Sequence, residues 1–358
     1  MKGFKFLVLG TVLAKIFGLL REFLLLSEFG YSQEISSYFS LIAILGIFTF
    51  FSDTSIINSI AYPLWLEAKQ VIIKINLKII LIITCLVIFL FFYNYFIFDS
   101  INNNHLKFLI SISIIPLILN SILYSILIFL EKKKEFLIIA ALNGFLYLVL
   151  TFYLIEYDLI GLIYSRLITL LLTLVSILII IKDDFKILFG KYDFDRELLK
   201  KSMNRFLSVN NVLLFALITR FLSSLLFESK MAVINYSMLI ILTFYTVFSK
   251  NMNTQLIKNQ IKNSVLSKSS KYLYFAVSII FMLFLLLALA FIPNKFTILN
   301  SSFELLEPLK LSIFIFAPII LLGFIDLTRQ SQLSNKIKIK PIPLILSIGY
   351  YIVTLNLF

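Results

Sequence analysis

The chain contains few charged residues, one cysteine and one histidine. Only 14% of its 358 residues are charged while 60% are hydrophobic, and this balance excludes a soluble globular protein. The lone Cys85 excludes an internal disulfide framework and a Cys-x-x-Cys metal or redox site. The lone His105 lies in a polar loop, so a multi-histidine metal site is excluded too. Glycine-rich phosphate loops, Ser/His/Asp sets and zinc-ligand spacings are also missing, and we therefore expect neither an enzyme nor a bound cofactor or metal.

Long apolar runs recur through the whole sequence and predict an all-α, multi-pass membrane protein. About eleven of them have the length of membrane helices, roughly 18–25 residues. The first run follows Lys2 and Lys5 but leads to no small-residue cleavage site, so we expect it to remain a helix. The predicted spans are 5–26, 36–64, 75–98, 107–130, 136–155, 159–181, 206–227, 231–249, 272–292, 309–328 and 341–357.

The basic residues of the loops predict the orientation. Most of the 32 lysines and arginines fall in loops on the same side as the N-terminus. The positive-inside rule then places the N-terminus in the cytoplasm and, with an odd number of spans, the C-terminus outside. The net charge of +13 is thus mainly a topology signal, and we expect no nucleic-acid partner. The basic residues of the outside loops are Lys107, Lys230, Lys295 and Lys310.

The largest loop, residues 182–205, divides the spans into two groups. It is rich in charge, follows the sixth span, and its pattern favours an amphipathic helix on the cytoplasmic surface of the membrane. We therefore predict an N-lobe over residues 1–181 with helices 1–6. A C-lobe over residues 206–358 would then hold helices 7–11.

An internal repeat supports this division. Tyr38–Asp53 aligns without gaps on Asn235–Lys250, and Arg21 in the first span falls opposite Arg220 in the seventh. Because six spans separate the copies, both cross the membrane in the same direction. Two parallel-repeat lobes around a central cavity are the expected arrangement.

Ionisable residues inside apolar spans are the main site signal. The first span holds Lys15, Arg21 and Glu22, and the seventh holds Arg220. A Lys or Arg at a helix centre costs roughly 2.5–3.5 kcal/mol on insertion scales, so it should face protein or water. At about 100° per residue, Lys15 and Glu22 lie about 20° apart around the helix. The excess of cations predicts a water-filled cavity that takes an anion. Alternatively, Lys15 and Glu22 neutralise each other through partners, while Arg21 and Glu22 reach the outer interface.

Other ionisable residues give weaker signals. Asp53 could bind a coupling monovalent cation or proton, could pair with a basic residue, or could lie at the interface if the second span ends early. Arg166 fits a structural role as well as a lumenal one, and Asp326 is expected near the cytoplasmic interface. The Asp193–Asp195 pattern is superficially that of a metal-bound nucleotide-sugar site, but we interpret it as part of a solvated linker.

The segment AKIFGLLREFLLLSEFG, Ala14–Gly30, resembles the first helix of the lipid II flippase family (the MurJ/MviN type). That family belongs to the multidrug/oligosaccharidyl-lipid/polysaccharide exporter superfamily. It has a basic residue before an apolar-apolar-Gly, then Arg-Asp, then Phe-Gly. The likeness continues without gaps into the second helix as far as Pro63. The matching positions here are Lys15, Gly18, Arg21, Glu22, Phe29 and Gly30.

This sequence also departs from the family pattern. Ser36 stands at the family's acidic residue after the first helix, Thr49 at its second-helix arginine, and Met238 near its eighth-helix arginine. The family usually has fourteen helices, whereas about eleven are predicted here. These departures favour a related polysaccharide-precursor flippase, or a degenerate paralogue, over a standard lipid II flippase.

The resemblance implies a bacterial inner-membrane flippase for an undecaprenyl-pyrophosphate-linked glycan, either lipid II or a polysaccharide repeat unit. Together with the cationic spans, it leads us to expect the pyrophosphate site at Lys15, Arg21, Glu22 and Arg220, with membrane lipid as a further partner. The alternatives are a non-transporting scaffold in cell-envelope assembly, a drug exporter of the same superfamily, and a membrane glycosyltransferase or polymerase. The short outer loops argue against the enzyme, and the cationic spans argue against the drug exporter.

Overall fold

The structure is a computed structural model that describes most of the predicted spans. The described residues are 2–50, 108–110, 112–184, 210–245, 276, 279–283, 286–287, 290–291, 296–298, 301–303, 306–331 and 342–357. The predicted third span, the second half of the predicted second span and nearly all of the predicted linker lie outside them.

The described residues form α-helices, three short 3-10 turns and one small hairpin. The helices are α1 (Lys2–Phe29), α2 (Gln33–Phe50), α3 (Ile114–Phe129), α4 (Lys133–Leu154), α5 (Asp158–Ile181), α6 (Asn211–Leu226), α7 (Met231–Tyr245), α8 (Leu306–Ser331) and α9 (Ile342–Leu357). The 3-10 turns are Ile155–Tyr157, Lys182–Asp184 and Glu228–Lys230. The hairpin pairs β1 (Phe296–Ile298) with β2 (Ser301–Phe303) in antiparallel register.

The prediction of an all-α, multi-pass membrane protein is confirmed. Within the described ranges, three stretches are long and apolar enough to cross a membrane: Phe108–Phe129, Lys134–Asp184 and Glu307–Asp326. Shorter apolar helices cover Asn211–Leu226, Met231–Thr243 and Ile342–Asn356. Large apolar side chains are exposed along several of these helices, as expected where lipid rather than water surrounds the protein. The helix count and the orientation stay predictions.

Local backbone chemistry sets some of the helix ends. Gly30 follows α1 with φ of +57°, a left-handed conformation that glycine adopts without steric cost. Its N–H still donates to the Leu26 carbonyl at 3.0 Å. The α4–α5 turn is closed differently, because Asp158 has φ of +54° and Gly161 lies directly against the Leu154 carbonyl. A side chain at position 161 would have no room.

The chain forms two compact units. Unit 1 comprises Met1–Arg21 and Leu41–Phe206, and unit 2 comprises Glu22–Ser40 and Leu207–Phe358. Helix α1 therefore contributes to both units, with the change falling between Arg21 and Glu22. The predicted division into residues 1–181 and 206–358 stays a prediction.

Unit 1 is built around α3, α4 and α5, joined by buried polar contacts. The Asn120 amide on α3 donates to the Leu170 carbonyl on α5 at 2.8 Å. The Thr151 hydroxyl oxygen on α4 and the Ser165 hydroxyl oxygen on α5 lie 3.3 Å apart. With no water inside a membrane, the Asn120 hydrogen bond satisfies groups that would otherwise be costly to bury.

Unit 2 packs α6, α7, α8 and α9 with the end of α1 and the beginning of α2. The Ser237 hydroxyl on α7 lies 2.7 Å from the Val233 carbonyl of its own helix and 3.0 Å from the Pro308 carbonyl on α8, and its proton is shared between them. Ser36 on α2 donates to the Ser229 carbonyl at 3.4 Å. The Tyr236 ring packs against Phe39 with centroids 5.5 Å apart. Residues 22–40 are thereby part of the core of unit 2.

Candidate functional site

Arg21 lies near the end of the α1 segment that belongs to unit 1, and its guanidinium stacks on an aromatic ring. Its Cζ atom is 4.1 Å from the centroid of the Tyr147 ring on α4. A cation this close to an aromatic face is attracted by the ring quadrupole, by about 0.5–2 kcal/mol depending on solvation. The ring thus keeps a charged side chain in place within an apolar helix pair.

Close packing of α1 against α4 brings Arg21 and Tyr147 together. Gly144 lies one turn before Tyr147, and a Cβ there would be 3.1 Å from the Ala14 Cα and 3.2 Å from the Phe17 Cβ. The Phe17 and Phe145 rings meet edge to face with centroids 5.6 Å apart. Because Gly144 has no side chain, the two backbones approach closely enough for Arg21, one turn beyond Phe17, to reach the ring.

Glu22 and Arg220 come together in unit 2. Glu22 is only 4% exposed, and its carboxylate interacts electrostatically with the Arg220 guanidinium on α6. Burial of a charge is tolerated when an opposite charge offsets its lost hydration. Arg220, itself a predicted site residue, is therefore the partner that offsets the charge of Glu22.

Arg220 belongs to a cluster of polar side chains from α1, α6 and α9. Its members are Glu22, Thr219, Arg220, Ser223 and Tyr351. The Tyr351 and Ser223 hydroxyl oxygens are 3.1 Å apart. Tyr351 also interacts electrostatically with Arg220, and its ring meets Phe215 edge to face at 5.9 Å. Arg220 is thus approached by a carboxylate from α1 and a phenol from α9.

The other sequence-predicted residues have different positions. Lys15 is half-buried on α1 in unit 1, and Arg166 is half-buried on α5. Asp53, the candidate for ion coupling, and the Asp193–Asp195 pattern lie outside the described residues. Among the residues that are described, no three His, Cys, Asp or Glu side chains gather as metal ligands would.

Asp326 lies inside unit 2, where its carboxylate accepts hydrogen bonds at the start of α6. It is fully buried and accepts hydrogen bonds from the backbone N–H groups of Asn211 and Val212 at 3.0 and 3.2 Å. The Asn211 side-chain amide donates to it at 2.6 Å. A carboxylate at a helix N-terminus satisfies free N–H groups and complements the helix dipole. Asp326 and Asn211 thus cap the first turn of α6.

Sequence reasoning missed Tyr147, whose ring stacks on Arg21, and Tyr351, which interacts electrostatically with Arg220. The chain has 17 tyrosines, and aromatic residues are common at membrane surfaces and in helix packing. No spacing or flanking pattern distinguishes these two. Only the folded structure singles them out, because each tyrosine lies on a different helix from its arginine and meets it through helix packing.

Comparison with solved structures identifies the fold. The chain is similar to the lipid II flippase MurJ in its inward closed conformation, with a TM-score of 0.63 and 17% identity over 98% of this chain and 87% of that one. It is also similar to a MATE protein in complex with MaD5, with a TM-score of 0.57 and 16% identity over 99% and 84%. A third similar structure is a multidrug resistance MATE family transporter of the MOP superfamily in an outward-facing conformation. Its TM-score is 0.50 and its identity 14%, over 99% of this chain and 96% of that one.

The chain is thus a multi-pass membrane protein with the fold that MurJ and MATE proteins share. No family model matches the sequence, and no curated protein matches it significantly. The comparisons confirm the expected fold, which is that of the MurJ and MATE structures. The finer assignment to the MurJ type is part of the proposal below.

Proposed function

We propose that the protein is a flippase that moves an undecaprenyl-pyrophosphate-linked glycan across the bacterial inner membrane by alternating access. The observation that carries this proposal is the pair of arginines in apolar helices, each with its side chain held by other residues of its own unit. A cation within a membrane helix is costly and therefore marks a function. In this proposal the function is to bind an anionic passenger.

Arginine suits a pyrophosphate because its planar guanidinium presents several N–H donors to two phosphate oxygens at once. Within the described part of the chain, the Nε atom of Arg220 is buried and donates no hydrogen bond. Arg21 offers its guanidinium from the face of the Tyr147 ring. We assign both arginines to the pyrophosphate, with Lys15 as a further cation.

Glu22 tunes this site in the proposed cycle. In the structure its carboxylate interacts with Arg220. An arriving pyrophosphate would compete with that carboxylate for the same guanidinium, which weakens binding and allows release on the other side. The prenyl tail stays in the bilayer during the cycle. Asp53 is the proposed site for a coupling monovalent cation or proton, and the N-terminus is proposed to be cytoplasmic.

Complementation tests the function. The protein is expressed in cells depleted of their lipid II flippase and, separately, in cells that lack an O-antigen or capsule flippase. We expect rescue in one background, which also identifies the class of glycan. Arg21→Ala and Arg220→Ala should abolish rescue at unchanged abundance in the membrane. Arg166→Ala, a membrane arginine outside the proposed site, is the matched control and should retain rescue.

The same experiment distinguishes the alternatives. A scaffold in envelope assembly would rescue neither background, and its function in its own cells would survive both arginine substitutions because it needs no pyrophosphate site. A drug exporter would rescue neither background but would lower drug accumulation. Failure in both backgrounds, with the protein present in the membrane, would contradict the proposed flippase.

A further inference from the structure

Each of the two arginines has a tyrosine from a later helix of the same unit. In unit 1, Arg21 on α1 stacks on Tyr147 of α4. In unit 2, the Tyr351 hydroxyl of α9 lies 3.1 Å from the Ser223 hydroxyl, and Ser223 is one turn after Arg220 on the same face of α6. Tyr351 also interacts electrostatically with Arg220. In the predicted numbering of spans, the arginines are in the first and seventh and the tyrosines in the fifth and eleventh. The two arginines are thus six predicted spans apart, and so are the two tyrosines, as expected if the arginine–tyrosine arrangement was duplicated with the repeat.

The two contacts use different parts of the tyrosine. Arg21 lies over the ring face of Tyr147 at 4.1 Å, so the attraction comes from the π-system and the hydroxyl is not required. A phenylalanine at this position would keep most of the interaction. An aliphatic residue would remove it.

Tyr351 acts through its hydroxyl oxygen, as a count of the available hydroxyl protons indicates. Ser223 has a single hydroxyl proton, and it donates that proton to the Thr219 carbonyl at 2.7 Å. In the 3.1 Å contact between Ser223 and Tyr351, the tyrosine must therefore be the donor. Its oxygen keeps its lone pairs, the negative end of the phenol dipole, for the nearby Arg220 guanidinium. Here phenylalanine would remove the interaction.

We propose that Tyr147 and Tyr351 are positioning residues that hold Arg21 and Arg220, respectively, in the orientation that binds a pyrophosphate. This inference rests on the proposed function. An arginine side chain is long and flexible, and a contact that fixes it reduces the entropy lost on binding. The α1–α4 packing at Gly144 and the hydrogen bond from Tyr351 to Ser223 fix the tyrosines in turn.

The test uses the opposite responses expected of the two tyrosines to phenylalanine. The variants are Tyr147→Phe, Tyr147→Leu and Tyr351→Phe in the full chain. The matched controls are Tyr153→Leu and Tyr350→Phe, at tyrosines that are 69% and 43% exposed. The binding probes are undecaprenyl pyrophosphate and undecaprenyl monophosphate, measured in detergent micelles, and the thermal midpoint reports folding.

We expect Tyr147→Leu and Tyr351→Phe to weaken pyrophosphate binding by about three- to tenfold. The monophosphate should be affected less, so the preference for pyrophosphate should fall. Tyr147→Phe and both controls should bind as the unchanged protein does. A loss for Tyr147→Phe equal to that for Tyr147→Leu would overturn the role of the ring.

A second readout does not depend on the passenger. Phenylglyoxal modifies arginine, and mass spectrometry gives its rate at each site. Arg220 should react severalfold faster in Tyr351→Phe, and Arg21 should do so in Tyr147→Leu, with no change in the controls. Unchanged rates would overturn the proposed contacts, whatever the transport result.

The two failures are distinguishable. If Arg21→Ala and Arg220→Ala lose pyrophosphate binding but the tyrosine variants keep it, the flippase stands and the positioning role is overturned. If the unchanged protein binds neither lipid, the proposed function fails, and the role of the tyrosines in binding fails with it.

Discussion

The carboxylate of Asp326 on α8 caps the first turn of α6 by accepting the backbone N–H of Asn211 at 3.0 Å. The Val212 N–H and the Asn211 side-chain amide donate to the same carboxylate. The cap fixes where α6 begins, and α6 carries Arg220. A residue remote from the proposed site thereby anchors the helix that forms part of it.

Replacement of Asp326 is expected to destabilise the protein. Asp326→Ala leaves two buried N–H groups without an acceptor, at a cost of about 1–3 kcal/mol each. Asp326→Asn should cost less, because its amide oxygen can still accept. The thermal midpoint in detergent measures this. Glu307→Ala, an exposed acid on the same helix, is the control. An unchanged midpoint for Asp326→Ala would show that the carboxylate does not support α6.

Gly161 and Gly349 should respond in opposite directions to alanine. A Cβ at position 161 would overlap the carbonyl oxygen of Leu154, so Gly161→Ala should displace the α4–α5 turn and lower the yield of folded protein. Position 349 has nothing within 4 Å of such a Cβ in the described structure. Gly349→Ala should raise stability by up to about 1 kcal/mol, because alanine favours a helix interior. Thermal midpoints and monodispersity in detergent report both. Equal tolerance at the two positions would contradict the tight turn.

Cysteine labelling tests the predicted orientation. Cys85 is the only cysteine, so Cys85→Ser provides a background without thiols. Glu156 precedes α5 and Lys182 follows it, so the two mark opposite ends of one helix. In intact spheroplasts, a membrane-impermeant maleimide should label Glu156→Cys, whereas Lys182→Cys should react only after permeabilisation. The reverse pattern would place the N-terminus outside.

The sequence could predict the charged residues of the candidate site because ionisable groups are conspicuous in apolar helices. Lys15, Arg21, Glu22 and Arg220 all stood out for this reason. It could not predict that Glu22 would meet Arg220, because the two are far apart in the chain. Nor could it distinguish the capping role of Asp326 from a position at the interface, since the donors that satisfy its carboxylate belong to another helix.

The sequence by itself determined that this chain is a multi-pass helical membrane protein. Apolar runs of about 20 residues can satisfy their backbone groups in lipid as helices, so composition and run length are sufficient. The tertiary structure decided which groups hold the buried charges. Contacts such as Arg21 with Tyr147 and Ser223 with Tyr351 depend on how helices pack, and helix packing joins residues from distant parts of the sequence that leave no local pattern.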